Sequence, residues 1–283
     1  MPPVNEQPTD PRAVSARILR WKQGAPAQAA DDSLAREEPL EIRVRGEAVA
    51  VTMRTPGHDE ELALGFLLSE GVIAGPSDVL EIAPCQQGEA ALHGNVLSVF
   101  LAPKAGVDLA KLRRNVYASS SCGLCGKASI ESVHAHFPPL AKRGPLAAAE
   151  RLLQLPGRLQ AEQETFDKTG GLHAAGLFDA DGKLLTLRED VGRHNAVDKV
   201  LGRSMLDGTL PLEDRMLMVS GRASFEILQK ALAGRVPVVC AVSAPSSLAV
   251  EFAQESGQTL VGFLRGDTFN VYSHPERIMG LGG

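Results

Sequence analysis

The sequence predicts an α/β protein: a C-terminal domain on a parallel sheet, preceded by a smaller N-terminal α+β subdomain. The first observation is a run of alternating segments between residues 216 and 265. MLMVS, PVVCAVS and TLVGFLR read as short apolar strands, and GRASFEILQKALAG and APSSLAVEFAQESG read as the helices between them. A β-α-β-α-β order makes the strands parallel and the crossovers right-handed. The second is LEIRVRG followed by EAVAVTMRT, which alternate apolar and polar residues around Gly46, as a hairpin does. The third is composition. The chain has 283 residues, 44% hydrophobic and 22% charged. That is ordinary for a globular protein and enough for one large domain or two modest ones.

In chain order, residues 1–15 form a tail expected to be disordered, with four prolines and no periodicity. ARILRW (16–21) reads as a short edge strand, and the polar QAADDSLAREEP (28–39) as a linker. After the hairpin, HDEELALGFLLSEGVI predicts an amphipathic helix over 58–69, acidic in its first turn and closed near Gly71. VLEIAPC and NVLSVFLA read as two more strands and close an N-terminal subdomain at 16–110. The C-terminal domain, 111–283, opens with a short helix near DLAKLRRN and the segment SSSCGLCGK. Helical stretches are expected at 127–137 and 146–166, separated by Pro138-Pro139. LHAAGLF (172–178), the turn DADG and KLLTLRED (183–190) form a second hairpin. NVYS offers a fourth strand at the end of the C-terminal unit.

Composition also excludes. A net charge of −5 and few aromatics (4%) argue against a nucleic-acid or anionic-membrane binder. No apolar run approaches the ~20 residues of a membrane span, and MPPVNEQPTDPR carries no apolar core or twin arginine to read as an export signal. Four cysteines in so long a chain suit a reducing compartment.

Two of them, Cys122 and Cys125, form a C-x-x-C flanked by glycines and followed by Lys127. A glycine-rich loop opening into a helix, with a cation close by, favours a thiolate. Both are therefore candidate nucleophiles, and Cys122, at the start of the turn, is the better exposed. Cys240 sits inside an apolar strand and reads as core; Cys85 has no assigned role. His134 and His136 invite a zinc reading, but the spacing from Cys125 and the His-x-His pattern oppose it. No metal is expected.

In parallel α/β sheets, ligands bind beyond the carboxyl ends of the strands. The loops there are SGRAS, SAPSS and RGDT. Hydroxyls, small residues, helix starts and two arginines suit phosphate. The candidate contacts are Ser220, Gly221, Arg222, Ser243, Ala244 and the segment Phe263, Leu264, Arg265, Gly266, Asp267 and Thr268. Arg222 or Arg265 would pair with the phosphate. REDVGRHNAVDKVLG (188–202) adds a dense polar cluster of Glu189, Asp190, Arg193, His194, Asn195, Asp198 and Lys199. Periodicity alone fits a solvated helix face with i,i+4 pairs as well as a functional cluster; His194 is placed with the ligand contacts.

SSSCGLCGKASIE, TGGLHAAGLF, REDVGRHNAVDKVLG, SGRASFEILQKA, VSAPSSLAVEFA and LVGFLRGDTFNVYS resemble the successive motifs of the formate dehydrogenase accessory sulfurtransferases, the FdhD/NarQ family. The likeness spans roughly 35 to 280. It implies a cytidine-deaminase-like three-layer α/β/α sandwich without the deaminase zinc. It also implies a cytoplasmic protein that takes persulfide sulfur from a cysteine desulfurase. The sulfur passes to the molybdenum bis(molybdopterin guanine dinucleotide) cofactor, bound as substrate, for the catalytic subunit of formate dehydrogenase. Cys122 corresponds to the family's persulfide carrier and FLRGDT to a cofactor-binding segment; the resemblance thereby makes GDP or GMP the expected fragment ligand, with Asp267 on the guanine edge. A ligand with two similar halves suits a two-fold homodimer. From the residues alone, a dithiol–disulfide oxidoreductase and a non-catalytic cofactor-binding chaperone remain the alternatives.

Overall fold

Residues 216–219, Met-Leu-Met-Val, alternate faces as a strand requires. Met216 and Met218 enter one core cluster and Leu217 and Val219 another. That division organises the whole molecule, described by a computed structural model for residues 10–85, 94–103 and 133–281. The strand, β10, lies inside a six-stranded sheet of order β13-β12-β11-β10-β8-β9. Its members are β8 (His173–Phe178), β9 (Leu184–Asp190), β10 (Met216–Val219), β11 (Val238–Ala241), β12 (Thr259–Arg265) and β13 (Thr268–Ser273). Strands β10, β11 and β12 are parallel, as their intervening helices demand. The flanks are antiparallel: β8 against β10, and β13 against β12. Only Gly266 and Asp267 separate β12 from β13, too few for a parallel crossover.

One face of this sheet is covered by α5 (Arg193–Leu206), α6 (Phe225–Ala233) and α7 (Ser247–Ser256). Ser246 caps α7 through its hydroxyl, which accepts from Ala249 N at 3.2 Å, and Gly257 (φ 72°) ends it. The opposite face packs Phe178, Met218, Cys240 and Val261 against Leu152, Leu155 and Leu159. Those leucines lie on α2 (Ala149–Leu152) and α3 (Leu155–Ala161), which precede α4 (Glu164–Thr169). The single helical stretch expected at 146–166 is thus three short helices. Pro156, in the first turn of α3, lacks an N–H and starts a new helix rather than continuing the old one. Ala147–Ala148 (β7) are extended and pair in parallel with β14 (Ile278–Met279).

The N-terminal half adds a four-stranded sheet of order β4-β3-β6-β5, from β3 (Glu38–Val44), β4 (Glu47–Arg54), β5 (Val79–Pro84) and β6 (Val96–Leu101). The β3–β4 hairpin turns at Arg45 (φ 53°) and Gly46 (φ 80°), both left-handed as the tightest hairpin turn requires. Helix α1 (Asp59–Ser69) carries Asp59, Glu60 and Glu61 in its first turn, where the helix dipole favours carboxylates. One core cluster runs from Leu40 and Ile42 on β3 through Leu64 and Leu67 on α1 to Val197 and Val200 on α5, and on to Leu217 and Val239.

At the crossing of α1 and α5 the backbones touch. A Cβ built on Gly65 would meet the Asp198 carbonyl oxygen head-on and lie 2.5 Å from its carbon. A Cβ on Gly202 would meet Glu61 in the same way, 2.6 Å from its carbonyl carbon.

Residues 28–39, expected to link, instead supply β2 (Gln28–Ala35) and the start of β3. β2 pairs antiparallel with β1 (Ala13–Arg20) in a separate ribbon. Its polar residues are cross-strand partners: Asp31 stands opposite Arg17, with the charges 3.7 Å apart. β1 begins at Ala13, inside the stretch expected to be a disordered tail. Residues 133–136 are helical; the rest of the helix expected at 127–137, and that near DLAKLRRN, lie outside the described residues.

Candidate functional site

The carboxyl ends of β10, β11 and β12 bring the three predicted loops side by side. Ala223 and Pro245 form a parallel bridge between SGRAS and SAPSS, and Ser246 N donates to Ala223 O at 3.0 Å. Phe263 N donates to Ser243 O at 3.2 Å, tying β12 to the same edge. Ser220 and Ala174 exchange two hydrogen bonds, N to O at 3.0 Å and Ala174 N to Ser220 Oγ at 2.9 Å. Gly221, Ser243 and Ala244 are half-buried, and Arg222, Arg265, Gly266, Asp267 and Thr268 are exposed.

Phe263 holds a left-handed backbone (φ 51°) inside β12, where the pairing with β13 is irregular between Gly262 and Arg265. A non-glycine residue rarely accepts that conformation, and such strain collects at functional sites. The Arg265 guanidinium lies over the Phe263 ring, 5.6 Å from its centroid. Among the described residues no ion pair joins Arg265 to Asp267. Leu264 is fully buried in the second core cluster and offers no surface to a ligand.

His194 lies at the same edge, on the first turn of α5. Its Nε2 is 3.2 Å from Ser224 Oγ and its Nδ1 3.2 Å from Glu226 Oε2. Burial, helped by Arg193, draws its pKa down to about 4 against the pull of Glu226, so the ring is neutral near pH 7. The start of α5 is held from beneath by Asp190. That carboxylate accepts from Gly192 N (2.8 Å), Asn195 Nδ2 (2.9 Å) and Thr55 N (3.1 Å), and pairs with Lys199 Nζ at 2.7 Å. One turn on, Asp198 pairs with Lys230 at 2.8 Å and accepts from Ser69 Oγ at 3.0 Å. Burial raises Asp198 to about 6 despite Lys230. Burial also opposes the Lys230 ammonium, but Asp198 prevails and its pKa rises. The polar cluster of REDVGRHNAVDK is therefore not a solvated face: Asp190, Asp198 and Lys199 are at most 2% exposed. It is the internal frame that fixes where Arg193 and His194 stand.

Sequence reasoning left two residues out of this edge. β8 runs antiparallel to β10, so its first residue, His173, arrives beside Gly221. Arg193 also comes within contact of Gly221. Both lie in the motifs TGGLHAAGLF and REDVGRHNAVDK; strand direction was the missing information. Cys240 is buried, and burial pushes its thiol up to about 12, as a core residue requires. His134 stacks on Phe252 at 5.3 Å, whereas His136 lies against Gly71, so the two rings diverge. Among the described residues no group of three or more His, Cys, Asp or Glu side chains is placed to hold a metal. Cys122 and Cys125 lie outside the described residues.

These features define a mixed α/β protein with several sheets and a polar edge where three loops and a helix start converge. Residues 35–279 match the FdhD/NarQ family, and the chain belongs to it. It is 52% identical over 268 residues to the sulfur carrier protein FdhD of Streptomyces coelicolor, covering 93% of this chain and 94% of that one. Against the protein of the same name from Mycolicibacterium paratuberculosis it is 54% identical over 271 residues, covering 94% and 99%. A crystal structure of a formate dehydrogenase accessory protein from Desulfotalea psychrophila matches with a TM-score of 0.74 at 28% identity, over 95% of this chain and 100% of that one.

Proposed function

We propose that this protein is a sulfur carrier required for formate dehydrogenase activity. It takes sulfur from a cysteine desulfurase and passes it to the molybdenum bis(molybdopterin guanine dinucleotide) cofactor, its bound substrate. The observation that carries this is the family membership over residues 35–279, with sulfur carriers matched end to end. The sheet edge supports it, because each guanosine of that cofactor is joined to its pterin through a pyrophosphate, which hydroxyls, backbone N–H groups and arginines suit. The three-layer arrangement is read as cytidine-deaminase-like. A cytoplasmic homodimer, each half of the cofactor on one protomer, completes the reading.

In the transfer, the Cys122 thiolate attacks the outer sulfur of the donor's persulfide. The donor S–S bond breaks, its cysteine leaves as thiolate, and the new S–S bond rests on Cys122. Delivery as sulfide needs two electrons. Cys125 supplies them by attacking Cys122 Sγ; a Cys122–Cys125 disulfide forms and the outer sulfur departs as hydrosulfide. An external dithiol then reduces the disulfide. The test is mass spectrometry after incubation with a desulfurase and cysteine. A gain of about 32 Da, one retained sulfur, is expected on the peptide containing Cys122. A Cys122→Ser protein that still loads on Cys125 and still activates the dehydrogenase overturns these roles.

A further inference from the structure

Arg193 stands out among the charged groups of this molecule. In the cleft near the ribbon, Arg12 pairs with Asp10, Arg188 with Glu61 and Lys199 with Asp190. The Arg193 side chain has no hydrogen bond or ion pair among the described residues, and its Nε is buried without a partner. A guanidinium nitrogen that gives up water without gaining a partner is costly. The His173 side chain, likewise without a hydrogen bond among the described residues, lies with it against Gly221. A Cβ built on Gly221 would lie 3.4 Å from His173 Nδ1 and 3.9 Å from Arg193 Cδ. The two side chains thus converge on the place that a Cβ would fill. The acids nearby are engaged elsewhere: Asp190 with Lys199, and Glu226 with His194. Burial, reinforced by Arg193, lowers the pKa of His173. A neutral ring donates one N–H without adding a second charge there.

We infer that Arg193 and His173, across Gly221, form a second oxyanion subsite that takes the distal phosphate of a nucleoside diphosphate. This rests on the reading of the sheet edge as a guanine nucleotide site. The strand order sets the direction. Phe263–Thr268 ends β12 and Gly221 follows β10, while His173 starts β8. From β12 to β8 is three strand spacings, about 14 Å. A base at the Phe263 end, with sugar and first phosphate over SAPSS and SGRAS, brings the second phosphate to Arg193. GMP stops short of it.

Calorimetry on the full chain with GMP, GDP and inorganic pyrophosphate tests this. Arg193→Gln weakens GDP and pyrophosphate about ten- to a hundredfold and leaves GMP within about twofold. Arg193→Lys recovers part of the loss, and His173→Gln weakens GDP but not GMP. Should Arg193→Gln fail to melt cooperatively, the other two variants carry the comparison. An unchanged GDP-to-GMP ratio and unchanged pyrophosphate affinity in these variants overturn the subsite. So does a wild-type protein that binds GDP no better than GMP and does not bind pyrophosphate. Arg265→Ala reports separately on the nucleotide reading: if neither GMP nor GDP weakens, the base lies elsewhere, while pyrophosphate still reads the Arg193 subsite.

Discussion

Gly65→Ala is expected to be among the most damaging single-methyl changes in this protein. The added Cβ meets the Asp198 carbonyl group at 2.5 Å from its carbon, against 3.4 Å or more for an ordinary contact. Both partners are helix backbone, so no side chain can swing aside; the carbonyl oxygen stands closer still than its carbon, and α1 and α5 must part by roughly 1.5 Å. Overpacking of this kind costs about 3 kcal/mol, and alanine's helix preference over glycine returns about 1 kcal/mol. A net loss of about 2 kcal/mol follows, seen as a lower urea midpoint at constant slope. Gly202→Ala behaves alike, and the double variant loses less than the two losses added, because one opening of the crossing serves both. Gly157→Ala, at an exposed position of α3 with nothing within 4 Å of its Cβ, is the control and is neutral or gains up to about 1 kcal/mol. A Gly65→Ala protein as stable as wild type, or as Gly157→Ala, refutes the close crossing.

Further outcomes follow from the buried charges and the strained edge. Lys230→Met strands Asp198 in the core and costs about 3–5 kcal/mol, whereas Lys230→Met with Asp198→Leu costs much less; equal losses by denaturant unfolding would contradict the pairing. His194 has a folded pKa near 4 against 6.5 unfolded, so the unfolded state binds more protons between those values. His194 by itself adds stability as pH rises across that window, by up to about 3 kcal/mol, against the opposite slope of Asp198, whose raised pKa removes stability as pH rises toward 6. The stability of wild type relative to His194→Gln therefore grows with pH across the window, and identical pH profiles for the two proteins would remove His194 as a contributor. Phe263→Gly is more stable than Phe263→Ala by about 1 kcal/mol, the reverse of the usual order, because glycine accepts the left-handed backbone. Alanine equal to or better than glycine in thermal melts would speak against that conformation.

The central strands were legible because their alternation and the intervening helical stretches are local patterns. The edge that gathers Ser220, Ser243 and Arg265 followed from strand polarity alone. What local pattern hides is partnership at a distance. QAADDSLA reads as a linker until Arg17 is placed opposite Asp31. The start of α4 is held by Glu189, whose carboxylate accepts from Thr165 N and Phe166 N across more than twenty residues of chain. Asp198 and Lys199 resemble an exposed i,i+4 surface until Lys230, Asp190 and the N-terminal half close over them. His173 was missed for the same reason: only the antiparallel setting of β8 carries its first residue to the edge beside Gly221.

Thr55 illustrates what this arrangement means for folding. Its N–H donates to Asp190, its hydroxyl accepts from Val191 N, and its carbonyl accepts from Lys199. Every polar group of this residue from the N-terminal half is thus satisfied by the C-terminal half. Separated, the two halves would each expose unsaturated backbone and a bare face of the shared core. They therefore melt as one cooperative unit, and the amide of Thr55 is protected from solvent exchange until global unfolding releases it.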